Sequence, residues 1–153
     1  MPVDEKTIPP PVSPLTVKLN LSILRFFSSM FAAKWFPSME MVVTSDYRTK
    51  EHNTQIGGAE NSAHVHGLAE DFQLKYKAGG QLVPEAQAKV VYDTIIAPNW
   101  PGYTEWEPSS SKEGYHVHWN LSREITSYIG PVGVAAIGII GVAIINGWSK
   151  RHG

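Results

Sequence analysis

Residues 42–72 read VVTSDYRTKEHNTQIGGAENSAHVHGLAEDF, and the rest of the chain is organised around them. A short apolar run, Met41, Val42 and Val43, leads into the polar residues Thr44, Ser45, Asp46, Tyr47 and Arg48, as a strand does when it opens into a loop. Gly57 and Gly58 mark a turn, and Ser62-Ala63-His64-Val65-His66-Gly67-Leu68-Ala69-Glu70-Asp71 follows. An imidazole and a carboxylate, here His64 and Asp71, are two of the three protein ligands that a catalytic zinc commonly uses. The third must come from elsewhere, and Tyr115-His116-Val117-His118-Trp119 is the obvious source.

Working outward, Met39 to Ser45 predicts a strand whose polar end starts the site loop. Glu70 to Tyr76 alternates and predicts a second strand, with Asp71 near its start. Ala78-Gly79-Gly80 is a turn signal. Pro84 to Ile96 fits an amphipathic helix with Pro84 in its first turn and Ala88, Val91 and Ile95 at helical spacing; Pro98 and Pro101 end it. Tyr103 to Glu107 and Tyr115 to Leu121 predict short strands joined by the Ser-rich stretch Pro108 to Ser111. In such a strand His116 and His118 point to the same face, so spacing does not choose between them as ligands.

Before the first strand, Leu15 to Phe36 carries Leu19, Leu21, Leu24, Phe26, Phe27, Met30, Phe31 and Trp35 at near-helical spacing. One or two helices packed on the domain account for them. A membrane-surface helix is the rival reading, but a small domain needs these bulky anchors in its core. The order helix, strand, strand, helix, strand, strand predicts an α+β fold: a small, largely antiparallel sheet with flanking helices.

With 153 residues the expectation is one globular domain. The formal charge of -1 gives no sign of a nucleic-acid partner. The absence of Cys excludes a disulfide framework and a thiolate metal site, so a transition metal must use His, Asp or Glu, which suits zinc. Residues 1–14 are charged and Pro-rich and lack the pattern of a signal peptide; they read as an extended arm. Residues 15–124 form the domain.

The end of the chain changes class. No charge occurs between Glu124 and Lys150, and Tyr128 to Trp148 is nearly all apolar or Gly. As a helix that stretch would span about 30 Å, the thickness of a bilayer's hydrocarbon core. Residues 125–149 are therefore expected to form a transmembrane helix, a single-pass C-terminal anchor with Tyr128 and Trp148 at the interfaces, followed by a basic tail, 150–153. Gly130, Gly133, Gly138, Gly141 and Gly147 suit close packing, so the helix offers a face for self-association. The expected location is a membrane of a cell envelope or a virion.

At these residues the chain resembles the M15 family of zinc peptidases, which includes D-alanyl-D-alanine carboxypeptidases and phage L-alanyl-D-glutamate endopeptidases. The family pattern S-x-H-x-x-G-x-A-x-D is met by Ser62, His64, Gly67, Ala69 and Asp71. Upstream, the family's S-G-[YF]-R, H-N and G-G are matched by Ser45, Tyr47, Arg48, His52, Asn53, Gly57 and Gly58, with Asp46 in place of Gly. The resemblance implies a DD-peptidase or hedgehog-like fold and a zinc ion on His64, Asp71 and a His in a late strand. The family's V-H-[VI]-[DS] ending aligns best with Val117-His118-Trp119-Asn120 and favours His118; an E-x-x-H register, Glu113 to His116, would make His116 the ligand instead.

Further roles follow from the chemistry of such a hydrolase. Glu113 is the candidate general base and Glu107 the runner-up. If His118 is the ligand, His116 steadies the reaction from beside it. Arg48 would grip a substrate carboxylate or the developing oxyanion, with Tyr47 and Ser62 also touching substrate. Asp46 and the pair Trp119-Asn120 depart from the family pattern and would narrow specificity. The expected function is a membrane-anchored zinc metallopeptidase cutting peptidoglycan stem peptides, as a phage lysis or wall-penetration enzyme does. The alternative is a non-catalytic structural or wall-binding membrane protein that keeps the fold.

Overall fold

The structure, a computed structural model, describes residues 13–60, 62–110 and 114–121. The expected transmembrane segment 125–149, the basic tail, nearly all of the arm and Glu113 lie outside these residues. Among the described residues no helix is long and apolar enough to cross a membrane.

The apolar spacing before the first strand forms one helix, α1 (Pro14–Trp35), of 22 residues. Ser13 caps it: its Oγ accepts the Thr16 N–H at 3.2 Å, and Pro14 brings a preset φ to the first turn. No Gly or Pro interrupts the helix, and Pro37 stops it by forcing Phe36 out of helical geometry. Four strands follow: β1 (Met39–Ser45), β2 (Ala69–Tyr76), β3 (Gly102–Glu107) and β4 (His116–Leu121). They form one sheet in the order β1-β2-β4-β3, every neighbour antiparallel.

Between β1 and β2 lie a short helix, α2 (Lys50–Gln55), and a 3-10 turn, Ala63–His66. After β2 comes α3 (Glu85–Val91), which continues through a π-helical turn, Tyr92–Ile96, into α4 (Ala97–Asn99). Pro98 does not end the helical run, as its sequence position predicted. It follows directly on the π-helical turn inside the continuous run, and the run stops before Pro101.

One face of the sheet is covered by α1. Ile23, Leu24, Phe27 and Phe31 are buried there against Phe72, Leu74, Val117, Trp119 and Leu121. Trp100, delivered by the end of α4, stacks on Trp119 at 3.8 Å between ring centres, and Phe31 meets both edge-on. Each such buried side chain stabilises the fold by about 2 kcal/mol. The phenylalanines of α1 are thus core residues, not a membrane-facing stripe. One core-facing position is charged: Glu70, only 1% exposed, accepts hydrogen bonds from Ser28 of α1 (2.7 Å) and the Trp119 indole (3.2 Å).

Candidate metal centre

Successive residues of a strand face opposite sides of a sheet. With Phe72 and Leu74 turned to the core, Asp71 faces the other way. The β2–β4 register places Asp71 directly opposite His118, which puts the two on one face. His118 Nδ1 lies 2.7 Å from Asp71 Oδ1.

His64 reaches the same carboxylate from the 3-10 turn. Ser62 caps that turn, its Oγ accepting the His64 N–H at 3.4 Å. Gly67 closes it in the left-handed region, φ +67, where a side chain would be strained. From behind, α1 supports the turn: Asn20 Nδ2 donates to the His66 carbonyl at 2.8 Å. His64 Nε2 ends 3.3 Å from Asp71 Oδ2. Its other nitrogen, Nδ1, lies 2.5 Å from the backbone carbonyl of Asp46. A carbonyl only accepts, so Nδ1 carries a hydrogen, and Nε2 is the atom that would bind a metal on giving up its own proton.

One ring nitrogen from each of His64 and His118 and an Asp71 oxygen lie within 4.8 Å of one another. Ligand atoms on a tetrahedral zinc with bonds of about 2.1 Å stand roughly 3.4 Å apart, so small side-chain shifts would close this set round an ion. Burial works to raise the Asp71 carboxyl, but hydrogen bonds from His118 and His64 and their positive charge outweigh it and hold it well below the usual carboxylate range. Asp71 is therefore an anion at any working pH, as a metal ligand must be.

Arg48, expected to grip the substrate, touches Asp71 and the loop around it. Its Nη2 donates to Asp71 Oδ2 at 3.0 Å, its Nε to Ser45 Oγ at 3.1 Å, and its backbone N–H to the His64 carbonyl at 3.2 Å. Asp46 likewise points away from the open face: its carboxylate takes Arg25 of α1 at 2.8 Å and the Tyr47 N–H at 2.7 Å. Tyr47 itself is 41% exposed beside the site.

His116 shares the site face but stands one pleat further along β4, opposite Glu107 of β3. The hydroxyl of Thr44 donates to the Asp71 carbonyl at 3.1 Å, so at its 3.1 Å contact with His116 Nδ1 it accepts. That contact holds His116 beside the cluster of His64, Asp71 and His118. Trp119 is buried on the core face, by the same alternation that presents His118 on the other. Two residues absent from the sequence reading join the site face through the β3–β4 register: Glu105, opposite His118, and Tyr103, opposite Asn120. The Tyr103 hydroxyl donates to Glu105 at 3.0 Å, and its ring stands edge-on to the His118 ring at 6.1 Å. Only strand pairing reveals them; nothing in their local sequence does.

A search of curated proteins finds no match to the chain. The sequence model of the family described as Peptidase M15 matches residues 16–99, more than half of the chain, from α1 through α4. That stretch contains His64 and Asp71 within their motif and ends before β4. M15 members are zinc peptidases, and a donor set that fits zinc stands where two motif residues meet a late-strand histidine. The chain belongs to the Peptidase M15 family.

Proposed function

We propose that the chain is a zinc-dependent peptidase that hydrolyses the stem peptides of peptidoglycan, with His64, Asp71 and His118 as the metal ligands. The observation that carries this reading is the cluster itself: two nitrogens and an ionised carboxylate converging within 4.8 Å on an open sheet face. His64, Asp71 and His118 would hold a zinc ion there, which would supply polarisation of the scissile carbonyl and activation of water. The protein's own groups do the rest. Arg48 fixes the orientation of Asp71, and the Asp46 carbonyl fixes the tautomer of His64. His116, held by Thr44, stands next to the reacting centre and can steady negative charge that develops there. Glu113, just before β4, takes the proton of the attacking water and passes it to the leaving amine; Glu107, opposite His116, is the second candidate. Tyr47 and Ser62 contact the substrate.

The stem-peptide substrate follows from the family. The anchor at Tyr128 to Trp148 would hold such an enzyme beside the wall, which suits a phage lysis or wall-penetration enzyme working from a membrane. Digestion of purified peptidoglycan by the zinc-loaded protein, with product masses, tests the reading. Release of D-alanine or of a peptide starting with D-glutamate is the expected result, together with about one zinc per chain. His64→Ala, Asp71→Ala and His118→Ala should each lose zinc and turnover together. Wall binding without any product would instead mean a scaffold that keeps the fold. Full zinc content in His118→Ala with loss in His116→Ala would move the ligand one pleat along β4.

A further inference from the structure

Behind the metal centre, between α1 and the edge strand β1, lies a cleft of about 490 Å³. Its walls are Ser28, Ala32 and Ala33 of α1 and Met39, Met41 and Val43 of β1, with Glu70 among its lining residues. Because Asp71 faces the opposite side of the sheet, the cleft and the metal centre lie on different faces, with Asp46 touching both.

Glu70 is the anomaly. It occupies a core-facing position of β2 between apolar neighbours, yet it is a carboxylate 1% exposed. A buried carboxylate normally has a cation against it. Both of its hydrogen-bond donors, Ser28 Oγ and Trp119 Nε1, are neutral, and both address Oε2. Among the described residues none donates to Oε1. The two cations that line the cleft are engaged elsewhere: Arg25 with Asp46 at 2.8 Å and Lys77 with the Pro37 carbonyl at 3.2 Å. The cleft thus combines an uncompensated acceptor with walls of methylene, methyl and thioether groups. Its volume lies in the range of small-ligand sites and far exceeds that of a single water.

We propose that this cleft is a second ligand site that takes an alkylammonium group, its N–H donors on Glu70 Oε1 and its carbon chain between Ala32, Ala33, Met41 and Val43. The shared chemistry is that of a free aliphatic amine or of a lysine side chain carried by a peptide. None of the proposed metal ligands lines the site, so it is independent of the peptidase reading.

Titration of the zinc-loaded full chain with butylammonium chloride, followed by NMR, tests it. The Trp119 indole N–H, bonded to the opposite oxygen of the same carboxylate, should shift saturably in the millimolar range, together with the amides of Ser28, Met41 and Val43. Butanol and sodium chloride should leave them in place. Glu70→Gln keeps an oxygen for Ser28 and Trp119 but removes the charge, and it should weaken binding at least tenfold. Ala33→Trp, an exposed change on the α1 wall, should close the cleft without touching Glu70, and so decides the matter if Glu70→Gln does not fold. A parallel titration with Nα-acetyl-lysine methylamide separates the sources: tighter binding than butylammonium assigns the site to a lysine side chain, the reverse to a free amine. The proposal is overturned by a Trp119 resonance that butylammonium leaves unmoved. It is equally overturned by shifts that survive in Ala33→Trp, or that sodium chloride reproduces.

Discussion

Asp71 has two carboxylate oxygens and three neighbours that address them: His118 on Oδ1, His64 and Arg48 on Oδ2. Arg48→Ala would leave Oδ2 free to rotate away. Its zinc affinity should fall by about 10- to 100-fold, read by competition with a chromophoric chelator, as for other supports of metal ligands. Unchanged affinity with a raised KM would return Arg48 to the substrate. Glu113→Gln should keep zinc while turnover drops by roughly a hundredfold, because the amide cannot take the proton; near-normal turnover would pass that role to Glu107 or His116. His64 and Asp71 were legible because a short motif carries them on one continuous stretch. Spacing alone did not choose between His116 and His118, since a period of two gives both one face; only the family's ending favoured His118. Only the pairing of β4 with β2, a contact across 47 positions, seats His118 at the carboxylate. The partners of Arg48 and Asp46 were hidden for the same reason: they come from other elements.

At the scale of elements, the strands were the most readable, because alternation and turn residues bound them; β1 spans the expected residues and β2 begins one earlier. The 3-10 turn was not read. It is short, and its conformation comes from the Ser62 cap, Gly67 and the α1 surface behind it. Gly67→Ala should test that support. The substitution strains φ +67 and drives a Cβ to 2.8 Å from the Val17 carbonyl, so it should destabilise the fold by at least about 1 kcal/mol in urea unfolding and weaken zinc binding with it. The core side of β4 has its own pH signature. Burial pushes the Tyr115 hydroxyl up, partly offset by the hydrogen bond its oxygen accepts from the Leu74 backbone N–H, with the Tyr76 and Glu85 charges adding to the rise. A raised acid favours the folded state below its unfolded value near 10, and that contribution disappears as pH climbs through the folded value. The stability advantage of the native chain over Tyr115→Phe should therefore shrink above about pH 10 in urea midpoints.

On the scale of the whole molecule, the α+β class and the antiparallel sheet follow from the order of elements, whereas the strand order does not. Nothing local says that the last strand lies inside the sheet. Among the described residues the core is already closed between α1 and Leu121, so removal of residues 126–153 should leave the domain's cooperative unfolding unchanged by circular dichroism. The full chain, by contrast, should partition into lipid vesicles through Tyr128 to Trp148. Recovery of the full chain free of lipid and detergent would refute the anchor. The order β1-β2-β4-β3 has one more consequence, for biosynthesis. β3 leaves the ribosome before β4 yet can join the sheet only through it, and the same late strand delivers His118. A chain stalled before β4 has an open sheet and two ligands, too few to hold an ion firmly. On the proposed ligand set, unfinished copies should therefore show no turnover until synthesis has passed His118.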